Sequence, residues 1–272
     1  MGEQATRQDA ADAGADAGAH GADGGAARPH RATLGRSVRL LRAFRLEQTD
    51  PDHFYGLLAD DTVSQLTTYI PLAGATVADV GSGAGYFTEA LAAAGARCVG
   101  VECDAGELTA QGPPAPGSVL GSALALPLRT GSIDVCFSSN VLEHVSAPWR
   151  MADEMVRVTR PGGIVFLSFT NWLSPWGGHE TSPWHYLGGD RAAERYTRRY
   201  GKPPKNRFGE SLFAVSVRDA LAWARSRTDA DLVDALPRYH PRWAKAVVRI
   251  PAVREIVTWN LVLVLRKPPR RS

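Results

Sequence analysis

Apolar positions recur at helical spacing twice before residue 70. Leu34, Val38, Leu40, Leu41 and Phe44 alternate with Arg36, Arg39, Arg42 and Arg45, which predicts a basic amphipathic helix from Leu34 to Phe44. A second helix is expected to begin near Asp50-Pro51, a capping residue followed by proline in the first turn, and to carry Phe54, Tyr55, Leu57 and Leu58. From Thr76 the pattern alternates as strand, helix, strand, short helix, strand, strand, helix, strand. Val77-Ala78 and Val99 to Glu102 are the first two strands. A helix carrying Met151, Met155 and Val158 starts after Ser146-Ala147-Pro148 and stops before Pro161-Gly162-Gly163. Such alternation predicts a parallel sheet wound on both faces. Ser216 is then expected to cap a helix to Arg225, with a sixth strand over Asp231 to Ala235 and a seventh over Trp259 to Leu265. Between those strands Arg242 to Arg254 is cationic and apolar together, a helix interrupted near Pro251.

The segment from Asn171 to Glu210 breaks the rhythm. It is rich in Gly, Pro, Trp and Tyr, has little periodicity, and is long for a plain connection, so it reads as a lid or binding wall. The expected organisation is therefore an Ala/Gly/Asp-rich tail over 1–30 and a single domain over 31–268. Within that domain, helices occupy 31–70, the alternating strand–helix core 76–170, a lid insertion 171–210, and a last helix and strands 211–268. The tail is expected to be disordered, because it has almost no large apolar side chain to offset its ordering entropy. His20 and His30 in it are isolated and carry no metal assignment.

The most specific chemistry lies between the first strand and its helix. Asp79 precedes Gly81, Gly83 and Gly85, three glycines on alternate positions, and Tyr86 follows. Glycine tolerates positive φ and lets backbone approach a ligand closely. A dinucleotide loop needs a glycine at its sixth position, where Tyr86 stands, and the leading Asp79 repels phosphate. Glu102 ends the second strand 17 residues past Gly85, where a carboxylate can accept both hydroxyls of a ribose. A ribose without a pyrophosphate is implied.

These residues resemble the class I S-adenosylmethionine-dependent methyltransferases, in particular the type 11 methyltransferase domain, and the chain as a whole resembles uncharacterised actinobacterial members. Three further blocks carry the likeness in order: Gly121 to Leu128, Ser132 to Val145, and Arg160 to Phe166. The resemblance covers roughly residues 50 to 170. It implies a Rossmann-like α/β fold, a doubly wound seven-stranded sheet, mostly parallel with an antiparallel last strand, and S-adenosyl-L-methionine as cofactor. It also implies a site built from Asp79, Gly81, Gly83, Gly85, Tyr86, Glu102, Cys103, Ser122, Ala123 and Asn140. The glycines should cradle the amino acid end, Asp79 should orient that loop or the ammonium group, Glu102 should hold the ribose, and Ser122 and Ala123 should sit at adenine. One departure stands out. The family commonly places an aspartate where Ser122 stands, and a hydroxyl accepts the adenine hydrogen bond with less charge assistance.

Composition narrows the rest. A chain of 272 residues with 44% hydrophobic content can bury one substantial core. A net charge of +3 is small for that length, which argues against a nucleic-acid binder. The Ser139-Asn140-Val141-Leu142 run also lacks the Asn-Pro-Pro-aromatic signature of base-modifying relatives. Cys98, Cys103 and Cys136 show no metal-ligand spacing and read as small buried hydrophobes suited to a reducing cytosol. No secretory leader or membrane span is evident, so a cytoplasmic location is expected. The basic segments 34–45 and 242–254 are nonetheless candidates for weak peripheral membrane contact.

Methyl transfer from a sulfonium is an in-line displacement, so alignment and desolvation provide most of the acceleration, and a base is needed only where the acceptor must lose a proton. His144, just beyond the fourth strand, is the first candidate, although the family's Leu-Glu-His block often uses such a histidine structurally. His179 and Glu180 are the next, in the lid with His185 and Tyr186 among Trp172, Trp176 and Trp184. That cluster is the expected wall for a small-molecule or lipid-linked acceptor. No metal is expected; His179, Glu180 and His185 are ligand types at loose loop spacing. Two other readings share the fold: a non-catalytic S-adenosylmethionine-binding protein, and a nicotinamide-dependent oxidoreductase or epimerase.

Overall fold

In a computed structural model, residues 30–47, 49–109 and 112–269 are described; the tail reading for 1–29, including His20, and Gln48, Ala110, Gln111 and 270–272 lie outside them. Thr33 and Asp50 start the two N-terminal helices by accepting the amides of Arg36 and His53, giving α1 (Leu34–Phe44) and α2 (Pro51–Leu66). The alternating core follows as β1 (Thr76–Val80), α3 (Tyr86–Ala93), β2 (Arg97–Glu102), α4 (Ala105–Leu108), β3 (Val119–Leu120), β4 (Ile133–Ser139), α5 (Pro148–Val158) and β5 (Thr159–Thr170). Then come α6 (Gly189–Tyr200), α7 (Val217–Ser226), β6 (Asp231–Pro237), α8 (Val253–Val257) and β7 (Asn260–Arg266).

The seven strands form one sheet in the order β3-β2-β1-β4-β5-β7-β6. β1 pairs parallel with β2 and β4, and β4 parallel with β5, whereas β7 inserts antiparallel between β5 and β6. The order reverses at β1 and β4, and in such sheets ligands gather at the carboxyl ends of the strands there. Both faces are covered. Val80, Cys136, Met151, Met155, Leu167 and Leu263 pack on one side, and Leu66, Val77, Leu91, Phe137 and Phe166 on the other. Strands buried on both faces explain the near-continuous apolar runs of β4, β5 and β7.

Two polar ties fix α1 and α2 over the carboxyl edge. Arg36 Nε donates to Asp61 Oδ1 at 2.7 Å, and Arg36 Nη1 donates to the Arg238 carbonyl at 2.9 Å. The fully buried Arg238 side chain donates in turn to Ser139 Oγ, Ser168 Oγ and Thr62 Oγ1 at 2.7, 2.9 and 2.7 Å. Leu40, Ala43, Phe54 and Leu58 form the apolar cluster beneath. His30, read as part of the tail, is half-buried with Nε2 3.8 Å from Asp61.

Three expectations change. The aperiodic segment contains a regular helix, α6, preceded by single turns at His179–Thr181 and Trp184–Leu187. Its helical pattern is masked because the helix is mostly exposed, burying Gly189 and Ala192 against the domain. The Arg242–Arg249 stretch is 3-10 helix, with the expected break at Pro251 before α8. Cys103 is exposed and Cys98 half-buried; of the three cysteines, Cys136 is the buried one.

Candidate active site

The β1–α3 loop turns on its glycines. Gly81, Gly83 and Gly85 all have positive φ, at 72°, 51° and 94°. A Cβ on Gly81 would lie 2.3 Å from Val141 Cγ2, whereas Gly83 and Gly85 face open space. Gly81 is thus required by packing, and the other two leave room above the loop. Asp79 lies beneath it, buried, with Oδ2 accepting from Thr88 Oγ1 at 2.7 Å. Burial pushes its carboxyl up to about 7, with the nearby Glu102 adding to the rise and the Thr88 hydroxyl opposing it.

Glu102 is buried at the end of β2 and holds the neighbouring loops together. Its Oε2 accepts from the Gly83 amide at 3.0 Å, and its Oε1 from Cys103 and Asp104 amides at 2.7 and 3.1 Å. A carboxylate has about four acceptor sites, so three backbone bonds leave capacity for a hydroxyl. Cys103 therefore enters through its amide. Ser122 is exposed and its Oγ accepts from the Leu124 amide at 3.2 Å, in a tight turn that also contains Ala123. Tyr86 begins α3, stacks on Tyr55 with ring centres 5.3 Å apart, and donates to Asp52, tying α2 to the glycine loop.

Beside this loop is a cavity of about 660 Å³. Asn140, in the left-handed region at φ 57°, reaches it from the end of β4 and accepts from Asn260 Nδ2 at 2.6 Å. Phe44, Tyr55, Trp176, Tyr239 and Trp259 line it together with Glu47, Glu180, His144 and His179. Tyr55 donates to Glu47 Oε1 at 2.8 Å, and burial raises the Glu47 carboxyl. Both oxygens of Glu180 accept from Asn206 Nδ2 at 3.1 Å.

The fold brings together the three residues considered for acid–base work. His144 and His179 lie edge to face with ring centres 4.9 Å apart, and Glu180 lines the same cavity. His144 Nδ1 is 2.7 Å from the Ser211 carbonyl. Burial lowers the His179 imidazole from its ordinary value, and the neighbouring Glu143 carboxylate opposes the shift. The rest of the expected wall turns elsewhere. His185 is buried with Nε2 3.1 Å from the Ser174 carbonyl and its ring edge-on to Trp172. Trp184 meets Arg195 and Arg199, and Tyr186 is half exposed, so of that group only Trp176 joins His179 and Glu180 in the cavity wall. Sequence reasoning missed Glu143, Tyr239 and Glu47. Glu143 stood inside the Leu142-Glu143-His144 block, and its signal was a carboxylate at an otherwise apolar, buried position.

Sheet order, glycine loop and strand-end acid define a doubly wound α/β protein built for a nucleoside cofactor. A family model described as a methyltransferase domain matches residues 78–167. An uncharacterized methyltransferase of Mycolicibacterium gilvum is 58% identical over 246 residues, spanning 87% of this chain and 96% of that one. Another, from Mycobacteroides abscessus, is 54% identical over 249 residues, spanning 87% and 95%. Among solved structures, an S-adenosylmethionine-dependent methyltransferase from Mesorhizobium loti aligns with a TM-score of 0.53 at 18% identity, over 77% of this chain and 98% of that one. The chain belongs to the methyltransferase family that these relatives share, and its cofactor is S-adenosyl-L-methionine.

Proposed function

We propose that this methyltransferase moves its methyl group to a small-molecule or lipid-linked acceptor seated in the 660 Å³ cavity. One observation carries the reading: Asn140, beside the cofactor loop, opens into the same aromatic space as His144, His179 and Glu180. In this reading Gly81, Gly83 and Gly85 cradle the amino acid end of the cofactor, with Asp79 beneath it. Glu102, braced by the Cys103 amide, holds the ribose, Ser122 and Ala123 border adenine, and Tyr86 closes the loop against Tyr55. The rings would fix the acceptor and exclude water, and the histidine pair would meet its nucleophilic atom. The sulfonium is already activated. What remains is to align it with the acceptor and to draw charge from any O–H or N–H that attacks.

Incubating the protein with labelled S-adenosylmethionine and fractionated extract of a strain lacking the gene should transfer label to a small molecule or lipid. Tight cofactor binding with no transfer in any fraction would instead establish the non-catalytic reading.

A second reading concerns how a lipid-linked acceptor arrives. The Arg242 amide donates to the Ala32 carbonyl at 2.7 Å, so the two basic segments are neighbours. They expose Leu34, Val38, Trp243 and Ile250 among Arg39, Arg42, Arg242 and Arg249, with Trp243 76% exposed. Exposed aliphatic side chains, one indole and arginines on neighbouring segments suit the interface of an anionic bilayer. Among the described residues no helix is long and apolar enough to cross a membrane. Trp243→Ala should lower binding to phosphatidylglycerol vesicles roughly tenfold, by the ~1.5 kcal/mol of a lost interfacial aromatic. Equal binding of wild type and variant in a flotation assay would remove this surface from the proposal.

A further inference from the structure

We infer that Glu143, His144 and His179 form a binding site for one divalent transition-metal ion, open on one side to the acceptor cavity. A ligand atom from each of the three lies within 4.8 Å of the others. This differs from the set of ligand types visible in the lid sequence, because Glu143 and His144 come from the turn after β4 and His179 from the turn at His179–Thr181.

The orphaned carboxylate oxygen is the main argument. Glu143 is 1% exposed; its Oε1 accepts from the Thr170 amide at 2.8 Å, while its Oε2 is buried with no hydrogen-bond partner among the described residues. A buried carboxylate oxygen without a donor is costly, so this position calls for a cation or a proton donor. The nearby Arg238 makes no hydrogen bond to it: its Nη atoms are committed to Ser139, Ser168 and Thr62, and its buried Nε has no partner among the described residues.

His144 is held in the tautomer a metal needs. With Nδ1–H donating to the Ser211 carbonyl at 2.7 Å, the Nε2 lone pair is left free, as in ligating histidines whose other ring nitrogen is held by a carbonyl. His179 is held at φ 50°, a left-handed conformation that a histidine adopts at a cost and that sets its ring across from His144. Two imidazoles and one carboxylate suit zinc, iron, cobalt or manganese rather than magnesium or calcium. Ligand atoms around such an ion lie roughly 3.0–3.5 Å apart, so from separations of up to 4.8 Å capture requires a closure of at most about 1.5 Å, within reach of side-chain rotation.

Both histidines line the cavity, so the free coordination positions face the acceptor. This part of the inference rests on the cavity being the acceptor site. It makes the acceptor an oxygen nucleophile: the hydroxyl oxygen binds the cation, its proton passes to water, and the oxygen lone pair forms the new bond to the methyl carbon. The carbon–sulfur bond breaks with its electron pair going to sulfur, which becomes the neutral thioether.

The test uses chelator-treated full-length protein titrated with Co²⁺ alone and followed by its visible d–d absorption, with no acceptor present. Wild type should show saturable one-equivalent binding. Glu143→Gln, His144→Ala and His179→Ala should each weaken it by tenfold or more, while the exposed His53→Ala leaves it unchanged. Far-UV circular dichroism checks folding, and the half-buried His179→Ala decides the question if Glu143→Gln unfolds. Acetohydroxamate, an oxygen chelator, should then shift the Co²⁺ spectrum of wild type. Absence of saturable binding, or binding indifferent to all three substitutions, overturns the site; a spectrum indifferent to acetohydroxamate overturns its open face. Transfer of label to an extract component is read separately, so failure of the metal site and failure of the methyltransferase reading are distinguishable.

Discussion

Asp79→Asn is expected to make the free protein more stable at pH 8 while depriving it of most of its cofactor affinity. Burial raises the Asp79 carboxyl from 3.8 to about 7 in the folded chain. Because the folded value lies above the unfolded one, the fold binds this proton more tightly. The resulting stabilisation is fully present below about pH 4 and is lost as pH rises through about 7. Keeping the group ionised at pH 8 therefore costs on the order of 4 kcal/mol. An asparagine removes that cost and can still accept from Thr88, but its amide protons enter a buried position at a cost of about 1–3 kcal/mol. A net gain of roughly 1–3 kcal/mol is left, visible as a higher melting temperature. In the proposed site the cofactor's ammonium group would reverse the balance, since a cation above the loop favours the ionised carboxylate. Wild-type affinity should thus fall by about tenfold per pH unit below 7, and the variant should bind about 10–100-fold more weakly at pH 8 with little pH dependence. Calorimetric titration with S-adenosylmethionine across pH 6 to 8 measures both. Wild-type affinity in the variant would show that Asp79 serves the loop alone.

The elements that read clearly from sequence are those whose signals are local. α1 follows from apolar spacing, α2 from that spacing and from Asp50-Pro51 at its start, and β1 to β5 from apolar runs between glycine-rich turns. The glycine loop is also local: Asp79 to Gly85 fold on themselves, and Glu102, on the adjacent strand, accepts from the Gly83 amide. The cavity wall depends on distant pairings. His179 meets His144 across 35 positions, and Ser211 fixes the His144 ring from 67 positions away. Nothing local distinguishes Trp176, which faces the cavity, from Trp172 and Trp184, which do not. Arg238 was equally silent. An arginine after a strand reads as surface, and only the hydroxyls of Thr62, Ser139 and Ser168, brought together from three elements, allow it to be buried.

Gly81→Ala is expected to cost about 2–4 kcal/mol of stability and to abolish cofactor binding, and a second substitution separates the two causes. Residue 81 sits at φ 72°, which charges any L side chain about 1–2 kcal/mol. Its new Cβ would also lie 2.3 Å from Val141 Cγ2 and 2.8 Å from Cγ1, a clash that the packed turn after β4 can relieve only by moving. That turn leads from Asn140 into the Glu143–His144 pair, so the displacement would reach the acceptor side. Val141→Ala removes both γ-carbons and leaves a 3.1 Å approach to the Val141 Cβ, so the double variant should recover about 1–2 kcal/mol relative to additivity while the φ penalty stays. Gly83→Ala is the contrasting case. Its φ is 51° but a Cβ there meets nothing within 4 Å, so stability should fall by only about 1–2 kcal/mol. The methyl would project toward the space proposed for the cofactor, and affinity should drop further than stability does. Denaturant melts paired with cofactor titrations of the variants read both quantities. Additive melts for residues 81 and 141 would show that Val141 yields freely, and unchanged affinity in Gly83→Ala would place the cofactor away from this loop.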